Sequence, residues 1–236
     1  MPPAPLSGIQ ISMDESFFKH NALTMGISLS NEQMEQFNLY RQELLVWNTK
    51  INLISEKSAQ EVDSRHFLDS LTALRFIYKE NARVLDIGSG AGFPGLPVKI
   101  ARPTLELYLM ESNRKKASFL KHIIRKLQLE KTIVSHCRAE DMLKQNNWHE
   151  YFDIVISRAA FRLSEFISFS VFFLAEGGKF IALKGDNSEN EFVLCAKDKN
   201  VSVLFELFQY DTVEYFTEKR RKIVVGKKLK KEKKIF

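Results

Sequence analysis

Between positions 85 and 95 the chain reads Leu85-Asp86-Ile87-Gly88-Ser89-Gly90-Ala91-Gly92-Phe93-Pro94-Gly95. Glycines at this density allow a sharp turn and the approach of a ligand to the backbone. An apolar strand pattern precedes the turn and a helix pattern follows it. That order puts the turn at the carboxyl end of a strand in an open α/β sheet, where such sheets bind ligands. Two ligand chemistries compete. Gly90-x-Gly92-x-x-Gly95 satisfies the dinucleotide fingerprint, in which a pyrophosphate rests on a helix N-terminus. Asp86, two residues before Gly88, opposes that reading. A carboxylate facing the crevice repels a diphosphate and suits a ligand with an ammonium group, such as S-adenosylmethionine. The alternative for Asp86 is a cap on the following helix. Glu111 ends the next apolar run, 23 residues beyond Gly88. An acid there accepts the ribose hydroxyls of either cofactor, or is a solvated strand end.

Two later segments fall at corresponding strand ends. Arg138-Ala139-Glu140-Asp141 can offer a backbone amide and an acid to the exocyclic amine of adenine, or cap the next helix. Ser157-Arg158-Ala159-Ala160 follows a very apolar run. An unpaired charge buried there is costly, so Arg158 is expected to pair with a carboxylate of the protein or of a ligand. The same turn lacks the Asn/Asp-Pro-Pro-aromatic sequence typical of adenine-amino methylation, and no Cys stands beside a Pro for cytosine-C5 chemistry. Cys137 and Cys195 form no metal or disulfide pattern. His20, His122, His136 and His149 share no ligand spacing, so no metal site is expected.

These residues need elements to hold them. Arg83–Ile87, Leu105–Met110, Ile133–His136, Phe152–Ser157 and Gly178–Leu183 read as strands alternating with helices over Pro94–Ile100, Arg114–Leu127, Leu163–Leu174 and Glu189–Lys199. Val201–Tyr210 and Lys222–Gly226 read as two closing strands. This alternation predicts an α/β, mostly parallel sheet covered on both faces. Upstream, Ser30 and Gln33, then Ser58 and Glu61, have capping-box spacing. They predict two helices, one bearing Met34, Phe37, Tyr40, Leu44 and Trp47, the other Val62, Phe67, Leu71, Leu74 and Tyr78, with a loop over Asn48–Lys57 between them. A short helix is expected around Phe17–Leu23. The division expected is an N-terminal extension (1–28), a helical cap (29–80), a ligand-binding α/β domain (81–228) and a basic tail (229–236).

The chain has 236 residues, 44% of them hydrophobic and 27% charged, an ordinary globular composition. No signal sequence or spanning segment is evident, so a cytoplasmic protein with no membrane association is expected. The net charge is +6, but residues 219–234 hold ten Lys and Arg against one Glu, leaving the remainder slightly acidic. A concentrated basic end grips polyanions or serves as a solubility tail.

Taken together, Trp47-Asn48-x-x-Ile51-Asn52-Leu53, Arg65-His66-Phe67-Leu68-Asp69-Ser70-Leu71, the Val84–Gly95 segment, Ser157-Arg158-Ala159 and Ala182-Leu183-Lys184-Gly185 resemble the glucose-inhibited division protein B family. Its members are bacterial methyltransferases that modify guanine N7 in 16S ribosomal RNA near the decoding centre. The resemblance runs from about Leu29 to Lys228. It implies a Rossmann-like class I methyltransferase fold with seven strands and an N-terminal helical cap, S-adenosylmethionine as methyl donor, and 16S rRNA or the small subunit as partner. It implies cofactor contacts at Gly88, Phe93, Ala139, Glu140 and Arg158, to which Asp86, Gly90 and the ribose acceptor Glu111 belong by position. Asn52, His66, Asp69 and Lys184 match family motifs near the crevice and are expected to face the substrate. No catalytic base is expected. The Lys-rich end departs from the Tyr-Pro-Arg-Arg ending of many members. A small-molecule methyltransferase, a nicotinamide-dependent oxidoreductase and a non-catalytic RNA-binding module remain as alternatives.

Overall fold

The computed structural model describes residues 13–185, 188–212 and 221–230. Its frame is a seven-stranded sheet in the order β3-β2-β1-β4-β5-β7-β6, formed by β1 (Arg83–Ile87), β2 (Glu106–Met110), β3 (Thr132–Ser135), β4 (Phe152–Arg158), β5 (Leu174–Lys184), β6 (Phe205–Thr212) and β7 (Arg221–Lys228). Strands β1 to β5 are parallel; β7 runs antiparallel to both β5 and β6. The order reverses between β1 and β4, the place where open α/β sheets bind ligands.

Helices α5 (Gly95–Ala101), α6 (Arg114–Lys126), α7 (Ala139–Met142), α8 (Leu163–Phe173), α9 (Glu189–Lys197) and α10 (Lys199–Ser202) follow the strands. Alternate side chains of the central strands go to opposite faces. Val84 packs with Leu107, Leu109 and Ile154, while Leu85 and Ile87 pack with Phe152, Val155 and Phe166. Strands buried on both sides read as continuous apolar runs, which is why β1 and β4 are plain in the sequence.

The first face carries the cap: α1 (Glu15–Thr24), α2 (Asn31–Asn48), α3 (Glu56–Ala59) and a helical run ending in α4 (Asp69–Leu71) and a 3-10 turn over Thr72–Phe76. The expected capping box at α2 is present, with Ser30 accepting from Gln33 N and Gln33 accepting from Ser30 N. Phe18 of α1 lies with Phe37 of α2 and with Phe67, so the described part of the N-terminal extension is sealed into the cap. Residues 1–12 and 231–236 lie outside the described residues. No described helix is long and apolar enough to cross a membrane.

Two expectations are corrected. The second cap helix does not start at Ser58; Ser55 caps the one-turn α3 by accepting from Ser58 N at 3.3 Å. Nor is Val62–Tyr78 one α-helix. It passes through a π-helical turn over Asp63–Leu68, then α4, then the 3-10 turn. The apolar positions follow this change of pitch, with Val62 five before Phe67, Phe67 four before Leu71 and Leu71 three before Leu74. The second correction is β6, which starts at Phe205. Asp198 accepts from Asn200 N at 2.8 Å and starts α10, which takes Val201 and Ser202 out of the expected strand.

Candidate active site

The loop after β1 is held by hydrogen bonds to its own backbone, to Asp86 and to the end of β2. Gly88 N and Ser89 N donate to Met110 O at 2.9 and 3.1 Å, and Gly92 N and Phe93 N donate to Ser89 O at 2.7 and 3.0 Å. Gly90 N donates to Glu111 Oε2 at 2.8 Å, and Gly95 N to Asp86 Oδ2 at 3.0 Å. Gly88 has φ +73°, and a Cβ on it would come within 2.8 Å of Ala160 Cβ. Glycine is required there both for the conformation and for the approach of the loop after β4.

Asp86 is fully buried. The capping alternative is thus realised through Gly95, the first residue of α5. Its other oxygen, Oδ1, has no hydrogen-bond partner. Burial pushes its carboxyl up to about 7; the Gly95 N–H and the Arg158 charge offset only part of this. Glu111 closes the same loop from the β2 side, accepting from Gly90 N and from Asn113 N at 2.7 Å. Where the loop leaves β1 lies a cleft of about 230 Å³ lined by Gly88, Met110, Ser112, Cys137, Ala139 and Glu140; neither Asp86 nor Glu111 is on its wall. The expected adenine-side residues Ala139 and Glu140 therefore share one cleft with Gly88.

Arg158, at the end of β4, finds its carboxylate within the protein. Nη1 donates to Asp69 Oδ2 at 3.2 Å and to Arg65 O at 3.1 Å, and Nη2 donates to His66 Nδ1 at 2.8 Å. The guanidinium lies 4.7 Å from the Phe93 ring centroid, and the His66 ring stacks on Phe93 at 4.7 Å with a 9° interplanar angle. Guanidinium has donors only, so Nδ1 of His66 carries the lone pair. Burial and the charges of Arg158, Arg65 and Arg221 hold His66 down to about 2, so the ring is neutral and its hydrogen is on Nε2, an enclosed atom with no partner. The π-helical turn brings Arg65, His66 and Asp69 to one guanidinium. Arg221 of β7 also approaches Asp69, at 3.9 Å.

Two further residues complete the frame. Lys184 donates to Phe161 O at 2.7 Å and to Glu191 Oε2 at 2.8 Å. It braces the loop after β4 and is tied to α9. Asn52 is exposed on the loop between α2 and α3 and is not among the residues gathered around Arg158; that loop is organised by Asn48, whose Oδ1 accepts from Leu53 N and Ile54 N at 2.8 and 2.9 Å. The sequence reading passed over Tyr40. It is wholly buried on α2 and donates to Ala91 O at 2.5 Å, joining the cap to the glycine loop. In the sequence it reads as one of the apolar positions of α2, and only its hydroxyl hints at more, since buried Tyr O–H groups find partners.

The sheet order and this loop define a Rossmann-like α/β protein of the fold that class I methyltransferases share. Solved structures with that fold include a predicted O-methyltransferase from Agrobacterium tumefaciens (19% identity, TM-score 0.53, covering 64% of this chain and 76% of that one) and a fibrillarin/Nop5p complex (16% identity, TM-score 0.53, covering 69% and 84%). The family described as GidB, rRNA small subunit methyltransferase G, matches residues 33–224, and the chain belongs to it. Relatives named ribosomal RNA small subunit methyltransferase G include one from Desulfitobacterium hafniense, 41% identical over 71% of this chain and 69% of that protein. Another, from Clostridium botulinum strain Eklund 17B, is 38% identical over 89% of this chain and 88% of that protein.

Proposed function

We propose that the protein methylates N7 of a guanine in 16S ribosomal RNA, with S-adenosylmethionine as methyl donor. The observation that carries this reading is the state of the glycine loop. The amides of Gly88, Ser89, Gly90, Gly92, Phe93 and Gly95 all donate within the protein. A pyrophosphate is therefore offered no ring of free N–H groups, because Asp86 and Glu111 already take two of the loop's amides. A ligand with a cationic end and a nucleoside fits: the buried acceptor Asp86 Oδ1 lacks a donor, and the adjoining cleft reaches Ala139 and Glu140.

The donor supplies an electrophilic methyl group carried on a sulfonium. Guanine N7 in RNA has a lone pair and no proton, so the chain needs no general base, and the neutral, tightly bonded His66 offers none. What the chain does is orient and enclose. Tyr40 and Glu111 fix the loop, Arg158 locks the cap residues Arg65, His66 and Asp69 over Phe93, and Lys184 braces the loop after β4. Such positioning is a large part of the rate for a transfer between two bound molecules. The target base must be unpaired or turned out to reach a cleft of this size.

The deciding experiment maps rRNA modifications by mass in a strain lacking the protein, then incubates that RNA with protein and isotopically labelled S-adenosylmethionine. Label at one guanine N7 is expected. Failure to label RNA, with nicotinamide dinucleotide binding in calorimetry, overturns the reading.

A further inference from the structure

The sequence draws attention to the basic C-terminal end, but three of its cations, Arg221, Lys222 and Lys228, are engaged within the fold. Lys222 pairs with Glu189 and Asp211, and Arg221 approaches Asp69. Lys228 is buried, with its Nζ donating to Glu150 Oε1, Val171 O and Leu174 O at 2.9, 2.8 and 2.7 Å. The register also matters. Lys222 pairs with Lys184 at the carboxyl end of β5, while Lys227 pairs with Lys179 nearer its start. Being antiparallel, β7 leads away from the site, and Leu229 and Lys230 follow at the opposite end of the strands.

Helix α6 has the opposite character. It contains Arg114, Lys115, Lys116, Lys121, Arg125 and Lys126 and no acid. Its apolar face, Ala117, Phe119, Leu120 and Ile123, is buried, and Arg114, Lys115, Lys121, Arg125 and Lys126 are exposed. At 3.6 residues per turn, Arg114, Lys121 and Arg125 fall on one stripe about 16 Å long. The acid facing the helix from α2 is Glu43, which bonds His122 at 2.7 Å and approaches Lys126 at 3.6 Å. Among the described residues Arg114, Lys115, Lys121 and Arg125 are in no ion pair.

Three of the cations stand in the first turn, where the helix dipole disfavours positive charge by about 0.3–1 kcal/mol each. Helix stability alone would select acids there. The first free amides are already bonded to Asn113 Oδ1, so the side chains are what the helix presents. This turn follows Ser112, which lines the cleft, so the stripe begins at the rim of the site and runs outward between the cap and β3.

We infer that the exposed face of α6 docks the sugar–phosphate backbone of the substrate RNA, holding it beside the cleft, and that Lys227 and Lys230 at the far end of β7 are not the main grip. This rests on the RNA-methyltransferase reading above. The test uses the full chain carrying Arg114→Gln, Lys121→Gln and Arg125→Gln together, all exposed positions, beside a control with Lys227→Gln and Lys230→Gln. Affinity for protein-free 16S rRNA is measured across salt concentrations, with S-adenosylmethionine affinity measured in parallel. Each lost phosphate contact lowers the slope of log K against log salt by roughly 0.7–0.9. The α6 variant is expected to lose about two units of slope and roughly tenfold or more in affinity near 0.15 M salt, with unchanged S-adenosylmethionine affinity and a raised KM for RNA; the control moves the slope by less. An unchanged slope in the α6 variant, or a larger loss in the control, overturns the inference while leaving the RNA reading intact. Loss of binding only to protein-containing subunits also overturns it, in favour of a protein contact. A wild-type chain that neither binds nor methylates the RNA removes the reading and the inference together.

Discussion

A single carboxyl group gives the site a pH signature. Asp86 is held near 7 because it is buried, well above its value in the unfolded chain. The folded protein therefore binds that proton more tightly than the unfolded one, and this group's contribution to stability falls as pH rises from about 4 to 7, then levels off. A bound ammonium group favours the ionised form. Affinity for S-adenosylmethionine is thus expected to rise with pH from 5.5 to about 7 and to flatten above it. Titration calorimetry across that range checks this, and Asp86→Asn should both weaken binding and remove the pH dependence. His66, held near 2, adds no step in this window. Lys99, lowered to about 8 by burial, is bonded to Pro103 O and Leu105 O beyond the end of α5 and is remote from the loop. A profile that is flat in the wild type would detach Asp86 from the ligand. Gly88→Ala tests the other critical residue of the turn. Its φ of +73° costs an L-residue about 1–2 kcal/mol, and the added methyl presses on Ala160, so thermal stability and cofactor affinity should fall together.

At the scale of elements, the cap and the sheet meet through Arg158. Burial lowers the pKa of its guanidinium, and Asp69 opposes that shift. Asp69→Asn leaves a buried cation without its counter-charge. The expected loss is about 3–5 kcal/mol in urea unfolding, and Arg221, a second cation at the same carboxylate, adds to it and does not relieve it. Tyr40→Phe removes one buried hydrogen bond and is expected to cost about 1–2 kcal/mol while raising the S-adenosylmethionine Kd more than the KM for RNA. Equal effects on both would make Tyr40 a packing residue only. These contacts also show where sequence reading reached its limit. Strands β1, β2 and β4 were legible within a residue or two because continuous apolar runs leave few alternatives, and the Asp86–Gly95 turn announced itself by composition. The meeting of His66, Asp69 and Arg158 was not legible. It depends on a π-helical turn whose signal is a five-residue gap between Val62 and Phe67, and on a sheet order that places β4 beside β1. The grouping of Arg158 with the ligand and Lys184 with the substrate followed motif position; the side chains themselves reach Asp69 and Glu191.

For the whole molecule, the sum of charges is a poor guide to where a polyanion binds, since a cation already paired inside the fold has little left to offer. Lys228 makes the point testable. In the sequence it belongs to a run of lysines; in the fold it ties β7 to Glu150 and to the carbonyls of Val171 and Leu174, bridging the β4 and β5 ends of the sheet. Lys228→Met removes a buried charge and the three hydrogen bonds it donates to Glu150, Val171 O and Leu174 O. A cost of about 2–4 kcal/mol is expected, which for a chain of this size lowers Tm by roughly 5–15 °C. If the lysine run acts as a diffuse grip on RNA, the same substitution should reduce the salt dependence of RNA binding and leave Tm alone. Differential scanning calorimetry and salt-dependent RNA binding on one variant therefore separate the two roles. A lowered Tm with an unaltered slope assigns Lys228 to the fold, because only an unpaired surface charge releases counterions when RNA replaces them.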